Sequence, residues 1–251
     1  MTEHAKTEDL PKEAQQFLLG AYERAKARLE AVIRQHGMRP GLSAAVAEER
    51  IAILDQEMRP VFPALEQAGT PVACAKGCGV CCTLTIDVTP DEVFALVDHL
   101  ERNLPAHRVA AIKARAIAAD ARGHGMEPLA RHRLQIACPV QDPETMECLG
   151  HAARPTPCQG YLSLNLKRCE AVHAGIGQDV PQPTAANMLT NVVSHTRSYA
   201  LEDAGAPRQS LELTAALVAA WADPDAERRW LAGEIVLPEA VSYQTNKPDE
   251  A

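Results

Sequence analysis

Apolar residues recur at helical spacing over most of the chain. Between residues 12 and 36 they repeat every three or four positions, and this pattern predicts a first helix with the inward positions Phe17, Leu18, Ala21, Ala25, Leu29 and Val32. Pro40-Gly41 ends this helix, and Ser43 is placed to cap a second helix that ends near Arg59-Pro60. The N-terminal region is therefore expected to be helical.

A strong helix start lies further along the chain. Thr89 and Glu92 have the spacing of a capping box, and Pro90 takes the first helical position. The pattern predicts that this helix runs to about Asn103. Further helices are predicted over residues 106–123, 184–203, 210–222 and 224–232.

Only one short segment shows the alternation that is typical of a strand. Residues 83–88 alternate between polar and apolar side chains and predict at most a short strand pair. Composition also favours helix, because only 4% of the residues are aromatic and the apolar share is rich in Ala and Leu. We therefore predict a mainly α protein, a single helical domain with irregular Cys-rich loops gathered around a metal site.

The predicted elements divide the chain into four regions. Residues 1–69 form an N-terminal helical region, and residues 70–182 form a Cys-rich metal-binding core whose part from 138 onward is expected to be mostly loop. Residues 183–237 are expected to be C-terminal helices that pack on this core. The polar tail, residues 238–251, is expected to be disordered.

The charge and hydropathy of the chain argue against nucleic-acid and membrane partners. There are 33 acidic and 25 basic residues, a net charge of −8, so no basic footprint is present. The charged N-terminus lacks the apolar core of a signal peptide, and no apolar run is long enough to cross a bilayer. We expect a cytoplasmic location, where thiols stay reduced and eight cysteines fit metal ligands better than four disulfides.

The cysteines fall into two dense segments. Four of them lie within nine residues and four follow much later, namely Cys74, Cys78, Cys81 and Cys82, then Cys138, Cys148, Cys158 and Cys169. Two or three residues between ligands let both sulfurs reach one ion, and thiolates bind zinc and iron strongly. Gly77 and Gly79 give the first segment the freedom of a ligand loop. We predict that folding brings the two segments together as halves of one metal site.

The adjacent pair Cys81-Cys82 bears on which metal is bound. Neighbouring side chains diverge, so both rarely ligate one tetrahedral ion. Eight thiols could fill two four-thiolate zinc sites, or could hold one iron–sulfur cluster with four thiols left over. The adjacent pair favours polynuclear iron, whereas a closed site without a redox task favours zinc, and the residues leave this choice open.

The spacing Cys74-x3-Cys78-x2-Cys81 also resembles the cluster motif of radical S-adenosylmethionine enzymes. Those enzymes use a partial β/α barrel in which the motif follows an early strand. Here a predicted helical region precedes the motif, and no succession of strands follows it. This interpretation is therefore disfavoured.

The second segment completes a joint pattern. It reads Ala137-Cys138-Pro139, Glu147-Cys148-Leu149, Arg154-Pro155-Thr156-Pro157-Cys158-Gln159 and Lys167-Arg168-Cys169. With the first segment, it resembles the CxxCxxCC family of zinc- or iron-chelating proteins over residues 70–172. The resemblance implies that the first seven cysteines occupy the family's positions and that Cys169 is an additional one. Gln159 stands where the family usually has arginine, so Arg154 or Arg168 would have to offset the charge of the thiolates.

Two alternatives to metal binding alone stay open. Flagellin lysine N-methylases share the cysteine block, which implies a protein-modifying enzyme with a protein substrate, although no Gly-rich methyl-donor motif is present. The other alternative is a thiol redox or metal-sensor protein in which Cys82 or Cys169 stays reactive. His132 and His151 lie near the second-segment cysteines and could complete a ligand set.

Overall fold

The computed structural model describes residues 10–176 and 179–243 of the protein. The helices are α1 (Lys12–His36), α2 (Leu42–Met58), α3 (Val61–Gln67), α4 (Pro90–Asn103), α5 (Ala106–Gly123), α6 (Pro128–Arg133), α7 (Thr156–Gly160), α8 (Leu166–His173), α9 (Thr184–Asp203), α10 (Leu213–Ala222) and α11 (Ala226–Leu231). The strands are β1 (Asp87–Val88) and β2 (Leu211–Glu212), and 3-10 turns span Val80–Thr83, His151–Ala153 and Pro238–Ala240. The prediction of a mainly α fold is confirmed.

Helices α1, α2 and α9 pack against one another at the N-terminal side of the fold. The buried face of α1 is made of Leu18, Ala21, Ala25, Leu29 and Ile33. Small alanines on this face let the neighbouring helices approach closely. The predicted face is confirmed except at its edges, because Phe17 is 37% exposed and Val32 is only partly buried.

Helix α4 connects this group to the C-terminal helices. It packs on α2 on one side and on α10 and α11 on the other, while α10 also packs on α5. Helix α10 is apolar on nearly all faces because it is surrounded by α4, α5 and the turn Pro238–Ala240. One continuous hydrophobic core therefore joins the N-terminal, central and C-terminal regions.

The two strands form a short antiparallel pair in which Asp87 faces Glu212 and Val88 faces Leu211. The strand expected over 83–88 is shortened to its last two residues, because the 3-10 turn Val80–Thr83 continues the cysteine loop. The capping box of α4 is formed as predicted, with Thr89 and Glu92 bonded reciprocally and Pro90 in the first turn. The strand pair and this cap place the first cysteine segment directly before α4.

The start of α2 differs from the sequence prediction. Ser43 does not cap the helix, and its buried Oγ has no hydrogen-bond partner among the described residues. The helix instead starts after Gly41, which has a left-handed φ of 92°. The backbone N–H groups of Gly41 and Ser43 donate to the Glu227 carboxylate at 3.1 and 3.2 Å. A side chain from α11 therefore supplies the negative charge that the helix N-terminus favours.

Several short elements were not predicted. Helices α3 and α6 were absent from the sequence prediction, and α7 and α8 lie inside residues 138–182, which were expected to be mostly loop. Such short helices depend on tertiary contacts more than on propensity. Residues 238–243 of the tail that was expected to be disordered contain a 3-10 turn, a Leu211–Val241 bridge and the buried Ser242. Residues 244–251 lie outside the described part. No described helix has the length and apolarity needed to span a membrane.

Candidate metal centre

The first cysteine segment is a glycine-dependent loop. Gly77 and Gly79 have φ values of 79° and 61°, in the left-handed region. A Cβ at Gly79 would lie 2.3 Å from Nε2 of Gln141, so the second segment approaches the backbone at this point. Gly79 also accepts a turn hydrogen bond from the Cys82 N–H at 3.1 Å. Glycine is therefore needed both for the turn and for the close approach.

Backbone hydrogen bonds hold the two cysteine segments together. The Cys138 N–H donates to the carbonyl of Cys82 at 2.7 Å, and the Ala73 N–H donates to the carbonyl of Ser163 at 2.7 Å. Lys76 and Glu147 add an exposed ion pair at 3.2 Å. Residues 83–137 separate the two segments in sequence, but these bonds join the segments into one structural unit.

Ser163 links Cys74 of the first segment to the second segment. Its N–H donates to Sγ of Cys74 at 3.3 Å, and its hydroxyl donates to the carbonyl of Asn165 at 3.0 Å. The side chain is buried, with 2% exposure. Asn165 then caps α8, the helix that carries Cys169, by accepting from the Arg168 N–H at 3.0 Å. Donors of this kind orient sulfur atoms and stabilise their anionic form.

All eight thiols lie in one electrostatic neighbourhood, and all are free. Cys81 is central to it and interacts with five others, Cys74, Cys82, Cys148, Cys158 and Cys169. Cys138 joins through Cys82 and Cys148, and Cys78 joins through Cys74. Within the described ranges, no group of three or more His, Cys, Asp or Glu side chains is arranged to hold a metal ion. The donor set fits a thiophilic metal, but its sulfurs do not converge on one point.

Cys81 and Cys82 have opposite pKa shifts. The hydrogen bond from the Cys82 thiol lowers the pKa of Cys81 to about 7, and the same bond, together with burial, raises the pKa of Cys82. The thiol that favours the anionic form is therefore Cys81. The sequence interpretation had named Cys82 or Cys169 as the reactive thiol, but burial raises the pKa of Cys169 as well.

Four further thiols favour the protonated form. Burial raises the pKa of Cys138 to about 12 and raises the pKa of Cys158 well above its ordinary value. It also raises the pKa of Cys74 and Cys148, although backbone N–H donors act in the opposite direction at both. Such buried thiols ionise readily only when a cation offsets their charge.

Two arginines that the sequence analysis missed are buried beside the second segment. Arg50 of α2 donates from Nη1 to Oε1 of Gln159 at 2.6 Å and from Nη2 to the carbonyl of Arg154 at 2.7 Å. Burial lowers the pKa of Arg50 to about 10. Gln159, which departs from the family pattern, therefore contacts a guanidinium that comes from another helix.

The second buried arginine, Arg197 of α9, is paired with carboxylates of α4. Its Nη1 lies 2.6 Å from Oε1 of Glu92 and 3.3 Å from Oδ2 of Asp91. Burial alone would raise the pKa of Glu92, but Arg197, Arg50 and bonds from Thr156 lower it to about 2. The N–H and Oγ1 of Thr156 donate to Glu92 at 2.7 and 2.5 Å. This network fixes the start of α7, the helix that carries Cys158.

The two arginines proposed to offset thiolate charge have different surroundings. Arg168 is exposed and pairs with Asp179 at 2.6 Å. Arg154 is partly buried and interacts electrostatically with Cys74, Cys81 and Cys148. Arg154 is therefore the better placed of the two.

The histidines lie at the edge of the thiol cluster. The Nδ1 of His132 is 3.4 Å from Oγ1 of Thr83, and its ring packs edge-on against His173 at 5.1 Å between centroids. The Tyr161 hydroxyl is 3.3 Å from Nε2 of His173. His151 is exposed, and burial together with Arg154 lowers its pKa. His173 lies four residues after Cys169 on the same helix, a spacing that could have indicated it from the sequence.

Comparison with known proteins supports the cysteine pattern. Residues 73–174 match the model of the CxxCxxCC family, described as "Putative zinc- or iron-chelating domain". This range contains all eight cysteines and agrees with the resemblance found from the motifs. No curated protein and no solved structure matches the chain. The family indicates chelation of zinc or iron.

Proposed function

We propose that this protein, through its CxxCxxCC domain, holds zinc or an iron–sulfur cluster with cysteine thiolates from both segments, residues 74–82 and 138–169. The observation that carries the proposal is the docking of the segments through the Cys138–Cys82 and Ala73–Ser163 hydrogen bonds. These short backbone bonds between the two segments support a site that both segments share.

The pKa shifts of the thiols support the proposal that metal binding is what deprotonates them. Without a cation, burial favours the protonated form of most of these thiols, whereas the pKa of Cys81 is lowered to about 7. A thiophilic metal replaces the protons and supplies the charge that the apolar surroundings lack. Cys81 then serves as the first anchor, because its pKa is lowered and it interacts electrostatically with five other thiols.

Loading requires the sulfurs to converge. The Ser163 N–H donates to the Cys74 sulfur. This bond is compatible with metal loading, since N–H donors to ligating sulfur stabilise metal centres.

Anaerobic purification with metal analysis and a visible spectrum tests the proposal and identifies the metal. Stoichiometric zinc in a colourless protein would establish zinc and contradict iron. A brown protein with iron and inorganic sulfide would establish a cluster. A folded protein without either metal, and unable to take up either, would contradict the proposal. The enzymatic and sensor alternatives remain predictions from the resemblance.

A further inference from the structure

A cavity of about 210 Å³ lies between α1 and α9. Its walls include Tyr22, Lys26 and Glu30 of α1 and Tyr199 and Asp203 of α9. Residues spaced by four positions share one face of a helix, so each helix contributes one wall. All of these residues lie outside the two cysteine segments. The cavity is therefore separate from the proposed metal centre.

Two tyrosine rings in these walls are partly open to solvent. Tyr22 is 40% exposed and Tyr199 is 51% exposed. The face of an aromatic ring carries negative charge and attracts ammonium and guanidinium groups. Tyr199 shows this preference within the chain, because the guanidinium carbon of Arg208 lies 4.7 Å from its ring centroid. The walls therefore favour a cation with an apolar or planar body.

The charged side chains at the cavity leave one carboxylate available. Nζ of Lys26 lies 3.7 Å from Oε1 of Glu30 on the same helix. In the part of the chain that the structure describes, the Asp203 carboxylate makes no hydrogen bond and no ion pair. Its neighbour Glu202 lies outside the cavity lining and pairs with Arg208 at 3.6 Å. Two carboxylates thus face one ammonium group, and this balance favours a positively charged ligand over an anion.

We propose that this cavity binds a small organic cation, an alkylammonium or guanidinium group with a short apolar body, between the tyrosine rings and the Asp203 carboxylate. Its volume of about 210 Å³ is many times the roughly 10–15 Å³ that one water molecule needs, so it has room for such a group. The inference does not depend on metal binding, because none of the groups involved belongs to a cysteine segment.

Calorimetric titration of the full-length protein with butylguanidinium tests the site, and NMR of the tyrosine rings locates it. Butylguanidinium is expected to bind saturably and to shift the ring signals of Tyr22 and Tyr199. Butyrate, which has a similar apolar body and the opposite charge, is expected not to bind. Absence of saturable cation binding, or equally tight binding of butyrate, would overturn the proposal.

Substitutions at the cavity test which groups bind the cation. Asp203→Asn is expected to weaken butylguanidinium binding by up to about fivefold. Tyr199→Leu is expected to weaken it about two- to fivefold, whereas Tyr199→Phe keeps the ring and should bind nearly as the wild type does. Glu202→Gln is the matched control, because it removes a neighbouring charge outside the cavity. A loss in Asp203→Asn no larger than that in Glu202→Gln would overturn the site.

Lys26 reports the sign of the ligand's charge. Lys26→Gln removes an ammonium group from the cavity and frees Glu30 from its ion pair. Butylguanidinium should then bind more tightly, by up to about fivefold, since a like charge has been removed. Weaker binding by this variant would mean that the ammonium group attracts the ligand, and it would contradict a cation site.

The source of the cation is distinguished by a second probe. A free amine and an arginine side chain of another protein present the same kind of group, so butylguanidinium is compared with a Gly-Arg-Gly peptide. Tighter binding of the free cation would identify a small molecule, and tighter binding of the peptide would identify a side chain. Either result requires the same cation site and supports it, whereas binding of neither probe would overturn it.

Discussion

At the scale of single residues, some groups of the site can be recognised from the sequence and others cannot. The cysteines and the loop glycines were identified from spacing alone. Arg50 could not be, because it lies 104 residues from the carbonyl that it holds and looks like any helix arginine. Ser163 was missed for the same reason, since a single serine in a loop carries no pattern.

Gly79 provides the first test at this scale. Gly79→Ala is expected to lower the free energy of unfolding by roughly 2–4 kcal/mol and to reduce metal uptake, because the new Cβ meets both a left-handed φ and Nε2 of Gln141. Gly125→Ala is the matched control, with a φ of 66° but no atom within 4 Å. It should cost about 1 kcal/mol and leave metal uptake intact. Urea unfolding and zinc titration measure both quantities, and equal effects of the two substitutions would contradict the close docking of the segments.

Cys81 provides the second test. Cys81→Ser is expected to remove most of the bound metal, because this thiol is the one with a pKa lowered to about 7 and interacts with five other cysteines. Metal content after anaerobic purification measures the effect. The metal-free variant should unfold at the same urea concentration as the metal-free wild type, which separates ligand loss from misfolding. Full metal content in Cys81→Ser would show that Cys81 is not an anchor.

At the scale of elements, the long helices followed from their periodicity and the short ones did not. Helices α1, α4, α5 and α9 have the predicted limits within a residue or two, since each has a continuous apolar face or a clear cap. Helices α7 and α8 are held by contacts from elsewhere, such as Glu92 on Thr156 and Gln135 on the His173 carbonyl. Contacts of this kind join distant residues and leave no local signal.

The start of α2 tests whether its cap is local or tertiary. Glu227→Ala is expected to destabilise the protein by about 1–2 kcal/mol, because it leaves the N–H groups of Gly41 and Ser43 without their acceptor. Ser43→Ala should be neutral or slightly stabilising, since the buried Ser43 hydroxyl has no partner to lose. Urea unfolding curves compare the two variants. If Ser43→Ala lowered the free energy of unfolding more than Glu227→Ala, the local cap that the sequence predicted would be supported instead.

The ion pairs of Arg197 with Asp91 and Glu92 connect α9 to α4, and a substitution of Arg197 tests their contribution. Arg197→Met is expected to cost about 3–5 kcal/mol, because it leaves the carboxylates of Asp91 and Glu92 buried without their main cation. Thermal or urea unfolding of the metal-free protein measures the loss. Arg228→Met, which removes an exposed pair with Asp225, is the control and should leave stability unchanged. A stability loss in Arg197→Met no larger than that of the control would show that the network does not hold the helices together.

At the scale of the whole molecule, a helical body carries an irregular cysteine-rich unit. Buried ion pairs and hydrogen bonds attach this unit to the helices. The mainly α class and the union of two cysteine segments were predictable, because helical periodicity and ligand spacing are both local patterns. The contacts that hold the second segment in place were not predictable, because Arg50, Glu92 and Arg197 come from three different helices. We propose that this unit binds zinc or iron through cysteine thiolates of both segments.

X-ray absorption at the zinc and iron edges of the anaerobically purified full-length protein tests that claim most directly. We predict stoichiometric zinc or iron whose nearest shell is sulfur, at about 2.3 Å for zinc. We also predict that this shell is lost when Cys81 is replaced by serine. A nearest shell of nitrogen and oxygen, or a folded protein that binds neither metal, would contradict a thiolate centre built from the two segments.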